Sequence, residues 1–254
     1  MDYVIAIPTY DRLNTFIKKT YNKIIKPNKL EDRVVLFIQN DRDEIEYREA
    51  FPQIKIVRSP PSYHHTLNFI SKYFQEGTLI VKMDDDINSC VKAPENYVEN
   101  KGKLEKDLDV NQIFINCFTV MKLRNCNLGG FYPSSSWFRG DQITTDLRFI
   151  VGSCYCFINR KIYLPEPNTK SDFEFTIKNY QQDNGVVRFN RIAFRSAYNN
   201  SGGIERTLEI ENRDNNRLFE KYPNYITRRI KHKNNSTSLV LKRIPIPSAD
   251  TLCL

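Results

Sequence analysis

Short apolar runs and helical apolar stripes alternate through the first ninety residues. "YVIAIPTY" (3–10), "RVVLFIQND" (33–41), "IKIVRSP" (54–60) and "TLIVKMDDD" (78–86) are each nearly unbroken runs of strand length that end in polar residues. Between the first two, Leu13, Phe16, Ile17, Thr20, Tyr21, Ile24 and Ile25 recur at steps of three and four, which predicts an amphipathic helix. Asp11 is placed to cap it and Pro27 to stop it. "DEIEYREAF" (43–51) reads as a short second helix. A third carries Leu67, Ile70, Tyr73 and Phe74 on one face. Strands apolar on both faces, separated by helices, predict an α/β protein with a mostly parallel sheet covered on both sides.

Beyond residue 90 the pattern changes. A polar stretch, "KAPENYVENKGKLEKD" (92–107), leads to a helix around 110–122, then to a loop rich in Gly, Ser and aromatics, "GGFYPSSSWFRGDQ" (129–142). "LRFIVGSCYCFINRK" (147–161) predicts one long strand. "SDFEFTIKNY" (171–180) starts a helix with Phe173, Ile177 and Tyr180 inward. "VVRFNRIAFRSAY" (186–198) alternates as an exposed antiparallel strand does, and the basic tail "RRIKHKNNSTSLVLKRI" (228–244) is read as finishing in a strand. No repeat or Gly/Ser linker interrupts the chain, so residues 1–254 are read as a single domain with halves at 1–90 and 91–254.

In a parallel sheet of this kind ligands bind beyond the carboxyl ends of the strands. Four strand ends deliver Thr9, Tyr10, Asp11 and Arg12; Asn40 and Asp41; Arg58 and Ser59; and Asp84, Asp85 and Asp86. If the strand pattern continues, Asp84 and Asp86 share one face and Asp85 points the other way. Carboxylates this close raise one another's pKa unless a cation lies between them, and hard oxygen donors suit Mg2+ or Mn2+. The plainer alternative is that Asp86 or Asn88 caps the next segment while the others are solvated.

Composition narrows the partners. Net charge is +8 at pH 7, which suits a polyanion, although charge alone equally serves solubility. No apolar run nears the roughly 20 residues that span a bilayer, and the acidic start "MDYVIAIPTY" reads as a first strand rather than a signal peptide, so a cytoplasmic location is expected. Cys90, Cys117, Cys126, Cys154, Cys156 and Cys253 show no CxxC pair and are read as buried free thiols. His64 and His65 are read as capping or packing residues. Gly202 and Gly203 fit either a turn or a close backbone approach to a ligand. Phe131, Tyr132, Trp137 and Arg139 are types that stack on bases or grip phosphate, with core packing the alternative for Trp137. The strands "RFNRIAFR" and "RRIKHK" could follow a nucleic-acid backbone.

"IAIPTYDR", "FIQND" and "VKMDDDI", followed by "FIVGSCYCFINRK" and "KSDFEF", resemble in order the elements of the GT-A glycosyltransferases over roughly residues 3–235. "DDDI", "GFYPSS", "TTDLRFIVG", "SDFEF" and "AYNNSGGIERT" resemble more narrowly the glycosyltransferases associated with TET/JBP-type DNA-base dioxygenases of viruses, phages and some protists. The resemblance implies a Rossmann-like GT-A fold with a smaller antiparallel acceptor-side sheet, 1–90 holding the nucleotide and 91–254 facing the acceptor. It implies a UDP-sugar donor, UDP-glucose first, with Mn2+ or Mg2+, and a hydroxymethyl pyrimidine of DNA as acceptor. Thr9, Tyr10 and Asp41 would meet the uridine, and Arg12 and Arg58 the phosphates. Asp84 and Asp86 would hold the metal with His232 as third ligand, while Asp85 meets the sugar or a basic neighbour. Asp172 is the expected base, with Ser171 where that motif usually has Glu. Glu174 is the second choice; the two lie about 200° apart on a helix, so only one can face the cleft. Ser171 or Asp172 could instead cap that helix. Three rival readings stand beside this one: the same fold acting on a glycan or protein, a nucleotidyltransferase, and a non-catalytic DNA-binding module. The absence of a Gly-rich loop after the first strand weighs against the second.

Overall fold

The computed structural model describes residues 1–94, 97, 103–134, 141–196, 207–231 and 236–244. The predicted apolar runs become β1 (Val4–Thr9), β2 (Val34–Ile38), β3 (Lys55–Arg58) and β4 (Leu79–Met83). They pair in parallel in the order β3-β2-β1-β4, because each is joined to the next by a helical crossover. The first crossover is α1 (Leu13–Phe16), which passes into a π-helical stretch, Ile17–Ile25. The second is α2 (Asp41–Ala50) and the third α3 (Tyr63–Tyr73). Asn40 caps α2 by accepting from the Asp43 amide, and Ser62 caps α3 by accepting from that of His65. Asp11 is not the cap expected: it sits at φ 52°, in the left-handed region, and its own amide donates to Asp43.

The second half extends the same sheet. β5 (Ile87–Lys92) leaves β4 after a turn. α4 (Val110–Leu123), β6 (Leu128–Phe131), β7 (Ile143–Thr144), β8 (Cys154–Ile158), α5 (Ser171–Asp183), β9 (Val187–Phe189) and β10 (Ile192–Ser196) follow. The eight-stranded sheet runs β3-β2-β1-β4-β8-β6-β9-β7, with β8 antiparallel to both β4 and β6. β10 pairs antiparallel with β5 in a small separate sheet. α6 (Leu208–Lys221) precedes the antiparallel hairpin of β11 (Ile226–Lys231) and β12 (Ser236–Leu241). The molecule is thus a mixed α/β structure: a large central sheet, parallel in its first half, flanked by helices, with small antiparallel sheets beside it.

Strand alternation divides the core. Ile5, Ile7, Leu36, Ile38, Val81 and Met83 face the side covered by the π-helical stretch and α4. Ala6, Val35, Phe37 and Ile80 face the other side, with Ile70, Tyr155, Phe157 and Tyr180. Three predicted boundaries move. Gly129 and Gly130 lie in β6, paired with β8 and β9, rather than in a loop, and glycine is needed there because a Cβ would stand 2.6 Å from Met121 Sδ and 2.5 Å from Ile150 Cγ2. The long strand expected over 147–161 forms only at Cys154–Ile158, because the Gly152 amide and carbonyl bond to side chains rather than to a ladder. The strand expected over 186–198 breaks after Phe189, where buried Asn190 donates to the carbonyl of Asp141, and its two parts join different sheets. The five cysteines among the described residues are all free and buried, as expected.

Candidate active site

The three aspartates do not continue the strand. β4 ends at Met83, and Asp84–Asp86 form a turn into β5, so their disposition follows from turn contacts rather than from alternation. Backbone bonds hold the turn. The Asp84 amide donates to Ser153 O at 2.8 Å. Thr20, fully buried on the π-helical stretch, donates to Asp84 O at 2.8 Å and accepts from the Ile87 amide at 2.8 Å. One hydroxyl therefore closes both ends of the turn. π-helical turns widen a helix locally and are frequent at functional sites.

Each carboxylate has its own surroundings. Asp85 is buried; it accepts from Thr9 Oγ1 at 2.8 Å and from Arg12 Nη1 at 3.0 Å. Thr9 spends its proton there, so it accepts from the Tyr47 hydroxyl 2.8 Å away. Burial pushes the Asp85 carboxyl up to about 7, against the pull of Arg12 and Thr9. Asp86 lies 3.5 Å from Arg12 Nη2, and its Oδ1 is buried with no partner. Its carboxyl is also raised, by burial first and by Asp84 next. Asp84 is the most open of the three and pairs with Lys82.

Lys82 carries chemistry that the sequence reading passed over. It sits in the apolar run of β4 at 1 % exposure. Its ammonium bonds Asp84, donates to Gly152 O at 2.7 Å, and lies 5.2 Å from the Tyr63 ring. Burial depresses its basicity, but Asp84 and Tyr155 more than offset this, leaving its pKa above the ordinary value. The Gly152 amide in turn donates to Asp172 Oδ2 at 3.3 Å. Residues 84 and 172, far apart in sequence, thus meet the same glycine, one through Lys82 and one directly. Both also raise the pKa of Tyr155, after burial and its counterpull from Lys82.

The remaining sequence candidates fall as follows. Tyr10 is exposed beside the strand end. Asp41 is exposed on the first turn of α2 and pairs with Arg58 at 3.0 Å, so neither is free of the other. Asp43, which the sequence reading did not weigh, is the buried carboxylate there, accepting from the Asp11 amide and the Asn40 side chain. Arg12 is engaged by Asp85 and Asp86. Asp172 is on the first turn of α5, half-buried; Lys170 occupies the cap position with no side-chain cap bond. Glu174 is buried and spends its carboxylate on Lys221 at 2.8 Å, Tyr222 OH at 3.0 Å and Asn168 Nδ2 at 3.0 Å. His65 bonds the Ser62 hydroxyl and His64 packs on α3, as read. Phe131 is fully buried in the core, and the Arg188 guanidinium lies 5.2 Å from the Tyr132 ring. Arg188 also bonds Asn190, and Arg191 bonds Pro94 O, so "RFNRIAFR" turns much of its charge inward. Trp137, Arg139, Gly202, Gly203, His232 and Cys253 lie outside the described residues.

A divalent cation fits the turn on one structural ground: Asp86 Oδ1 is a buried anionic oxygen lacking a partner, beside a second carboxylate, Asp84. Among the described residues no cluster of three or more His, Cys, Asp or Glu side chains could hold a metal alone. Two carboxylates, with phosphate and water completing the shell, suit Mg2+ or Mn2+ of this kind. No helix among the described residues is long and apolar enough to cross a membrane.

No protein-family model matches the chain, and no curated protein matches it. Solved structures of similar architecture include glucosyl-3-phosphoglycerate synthase from Mycobacterium tuberculosis with Mg2+ and UDP, 11% identical over 96% of this chain and 88% of that one, at a TM-score of 0.49. CMP:2-keto-3-deoxy-manno-octonic acid synthetase with CTP is 11% identical over 87% of this chain and 96% of that one, at 0.44. GalNAc-T7 with UDP, GalNAc and Mn2+ is 10% identical over 80% of this chain and 45% of that one, at 0.41. At these identities and scores the likeness says nothing of this chain's activity, substrate or metal.

Proposed function

We propose that the chain is a metal-dependent glycosyltransferase that uses a UDP-sugar, UDP-glucose first, and acts on the hydroxymethyl group of a pyrimidine in DNA. The observation that carries the enzyme reading is the convergence of the aspartate turn and Asp172 on Gly152, at the carboxyl edge of the parallel strands, where ligands of such sheets bind. Asp84 and Asp86 would hold the cation. When bound it supplies positive charge to the departing diphosphate. Asp172, half-buried at the start of α5, takes the proton of the acceptor hydroxyl, and single-step displacement from that side inverts the anomeric configuration. Thr9 and Tyr10 border the nucleotide side. Arg12, in two carboxylate contacts already, fixes Asp85 and Asp86 relative to one another.

DNA as acceptor rests on different support. The hairpin of β11 and β12 carries Arg228 and Arg229 on β11, and Lys242 and Arg243 follow β12 directly. A basic strand pair of this kind suits phosphate contacts.

A thermal-shift panel of UDP, CTP and UDP-sugars with and without Mn2+ tests the enzyme reading. UDP or a UDP-sugar should raise the melting temperature in a Mn2+-dependent way, and Asp86→Ala should abolish that dependence. No shift with any ligand refutes the donor assignment, and a shift with CTP alone favours nucleotidyl transfer. Sugar transfer onto 5-hydroxymethylcytosine duplex but not onto unmodified duplex is the expected acceptor result. Transfer to neither refutes the acceptor.

A further inference from the structure

Lys82 is a lysine where the fold asks for an apolar residue. Its neighbour two positions back on the same face, Ile80, is fully buried, and Tyr155 and Phe157 of the adjoining strand pack against that face. A methionine would fill this place without taking an ammonium out of water, so retaining the charge calls for a reason beyond packing. Three separate pieces of chain meet at its nitrogen: the aspartate turn through Asp84, the loop before β8 through the Gly152 carbonyl, and the start of α3 through the Tyr63 ring. The same glycine presents its amide to Asp172. The Gly152 amide and carbonyl lie in different peptide planes joined by two dihedrals that glycine leaves unusually free, so the loop is held only when both ends are anchored, the carbonyl by Lys82 and the amide by Asp172.

We propose that Lys82 is a positioning residue that ties Asp84 to the Gly152 loop and so holds Asp84 and Asp172 in one arrangement before any substrate binds. Its part in turnover rests on the glycosyltransferase reading; the tie itself does not. The ammonium stays within the protein and acts only through the two carboxylates. Groups that orient ligands or bases from behind typically change affinity or rate by 10–100-fold when removed.

The experiment compares Lys82→Met, Lys82→Arg, Asp84→Asn and the double variant Lys82→Met/Asp84→Asn. In the ligand-free protein, Lys82→Met should displace the Gly152 amide resonance and the Asp172 carboxyl 13C resonance together, and Lys82→Arg should displace them less. With UDP and Mn2+, affinity should fall about tenfold in Lys82→Met, and kcat for UDP-glucose turnover should fall more than KM rises. The double variant, which removes both charges and so leaves no carboxylate without its ammonium, should bind no worse than Asp84→Asn alone. Gly152 and Asp172 resonances that stay in place in Lys82→Met, or a double variant with fully additive losses, overturn the proposal. If wild type binds no UDP with Mn2+, the glycosyltransferase reading fails, while the resonances still decide the tie.

Discussion

Replacing Glu174 with Ala should unfold the protein more easily without being a catalytic lesion, and Asp172→Asn should do the reverse. Glu174 is 1 % exposed and receives three bonds: Lys221 Nζ at 2.8 Å and Tyr222 OH at 3.0 Å on one oxygen, and Asn168 Nδ2 at 3.0 Å on the other. Truncation leaves the buried Tyr222 hydroxyl unpaired and removes one of the two acceptors of the Asn168 amide, whose bond to Glu166 O remains, each at about 1–3 kcal/mol. The Lys221 side chain is 40% exposed, so its ammonium regains water and the full cost of breaking a buried ion pair does not apply. The sum is about 3 kcal/mol, which for a chain of this size lowers the melting temperature by roughly 6–12 °C. Asp172 accepts from the Gly152 amide at 3.3 Å and from the Phe173 amide at 3.0 Å, and the Asn side chain keeps an oxygen for one of them, so Asp172→Asn should lower it by only about 1–3 °C. The assay is differential scanning calorimetry beside UDP-sugar turnover, both below the lower melting temperature. Glu174→Ala that melts like wild type but turns over nothing would refute this assignment and move the base to Glu174.

Thr20→Val should release both ends of the aspartate turn, costing about 1–3 kcal/mol for the orphaned Ile87 amide alone and weakening Mn2+-dependent UDP binding; Thr20→Ser should restore both in calorimetry and titration. Gly130→Ala should destabilise by about 1–3 kcal/mol in urea unfolding, since the new Cβ meets Ile150 Cγ2 at 2.5 Å. The His64 imidazole is held below its ordinary pKa by burial first and then by His65 and Arg217, with Glu174 pulling the other way. The unfolded chain therefore binds the proton more readily. The contribution from neutral His64 is complete above about pH 6.5 and is lost as pH falls through the depressed folded value. His64→Gln should flatten that part of the stability–pH curve, and an unchanged slope would exclude His64 as its source.

Unbroken apolar runs between helical stripes were enough to specify four parallel strands and their crossovers, because a strand buried on both faces leaves no other pattern. Those runs also placed Thr9, Arg12 and the three aspartates on one edge, since parallel strands end together. Burial of the cysteines was legible from their places on a strand and a helical stripe. What the sequence could not reveal was how side chains compete for the backbone. Gly152 looked like one residue of a long strand until Lys82 and Asp172 claimed its carbonyl and amide. Lys82 stands in a run read as apolar, and its role was not legible there because its partners lie two and seventy residues away. Glu174 and Asp172 are both carboxylates on the first turn of α5 and are told apart by their partners: Lys221, Tyr222 and Asn168 meet Glu174 in the interior, while Asp172 accepts from the Gly152 and Phe173 amides. Local periodicity determined which elements exist and which ends converge. Contacts between residues distant in sequence decided which carboxylates are enclosed in the fold and which lie at the strand edge, because a charged group's surroundings depend on its partners and not on its place in the chain.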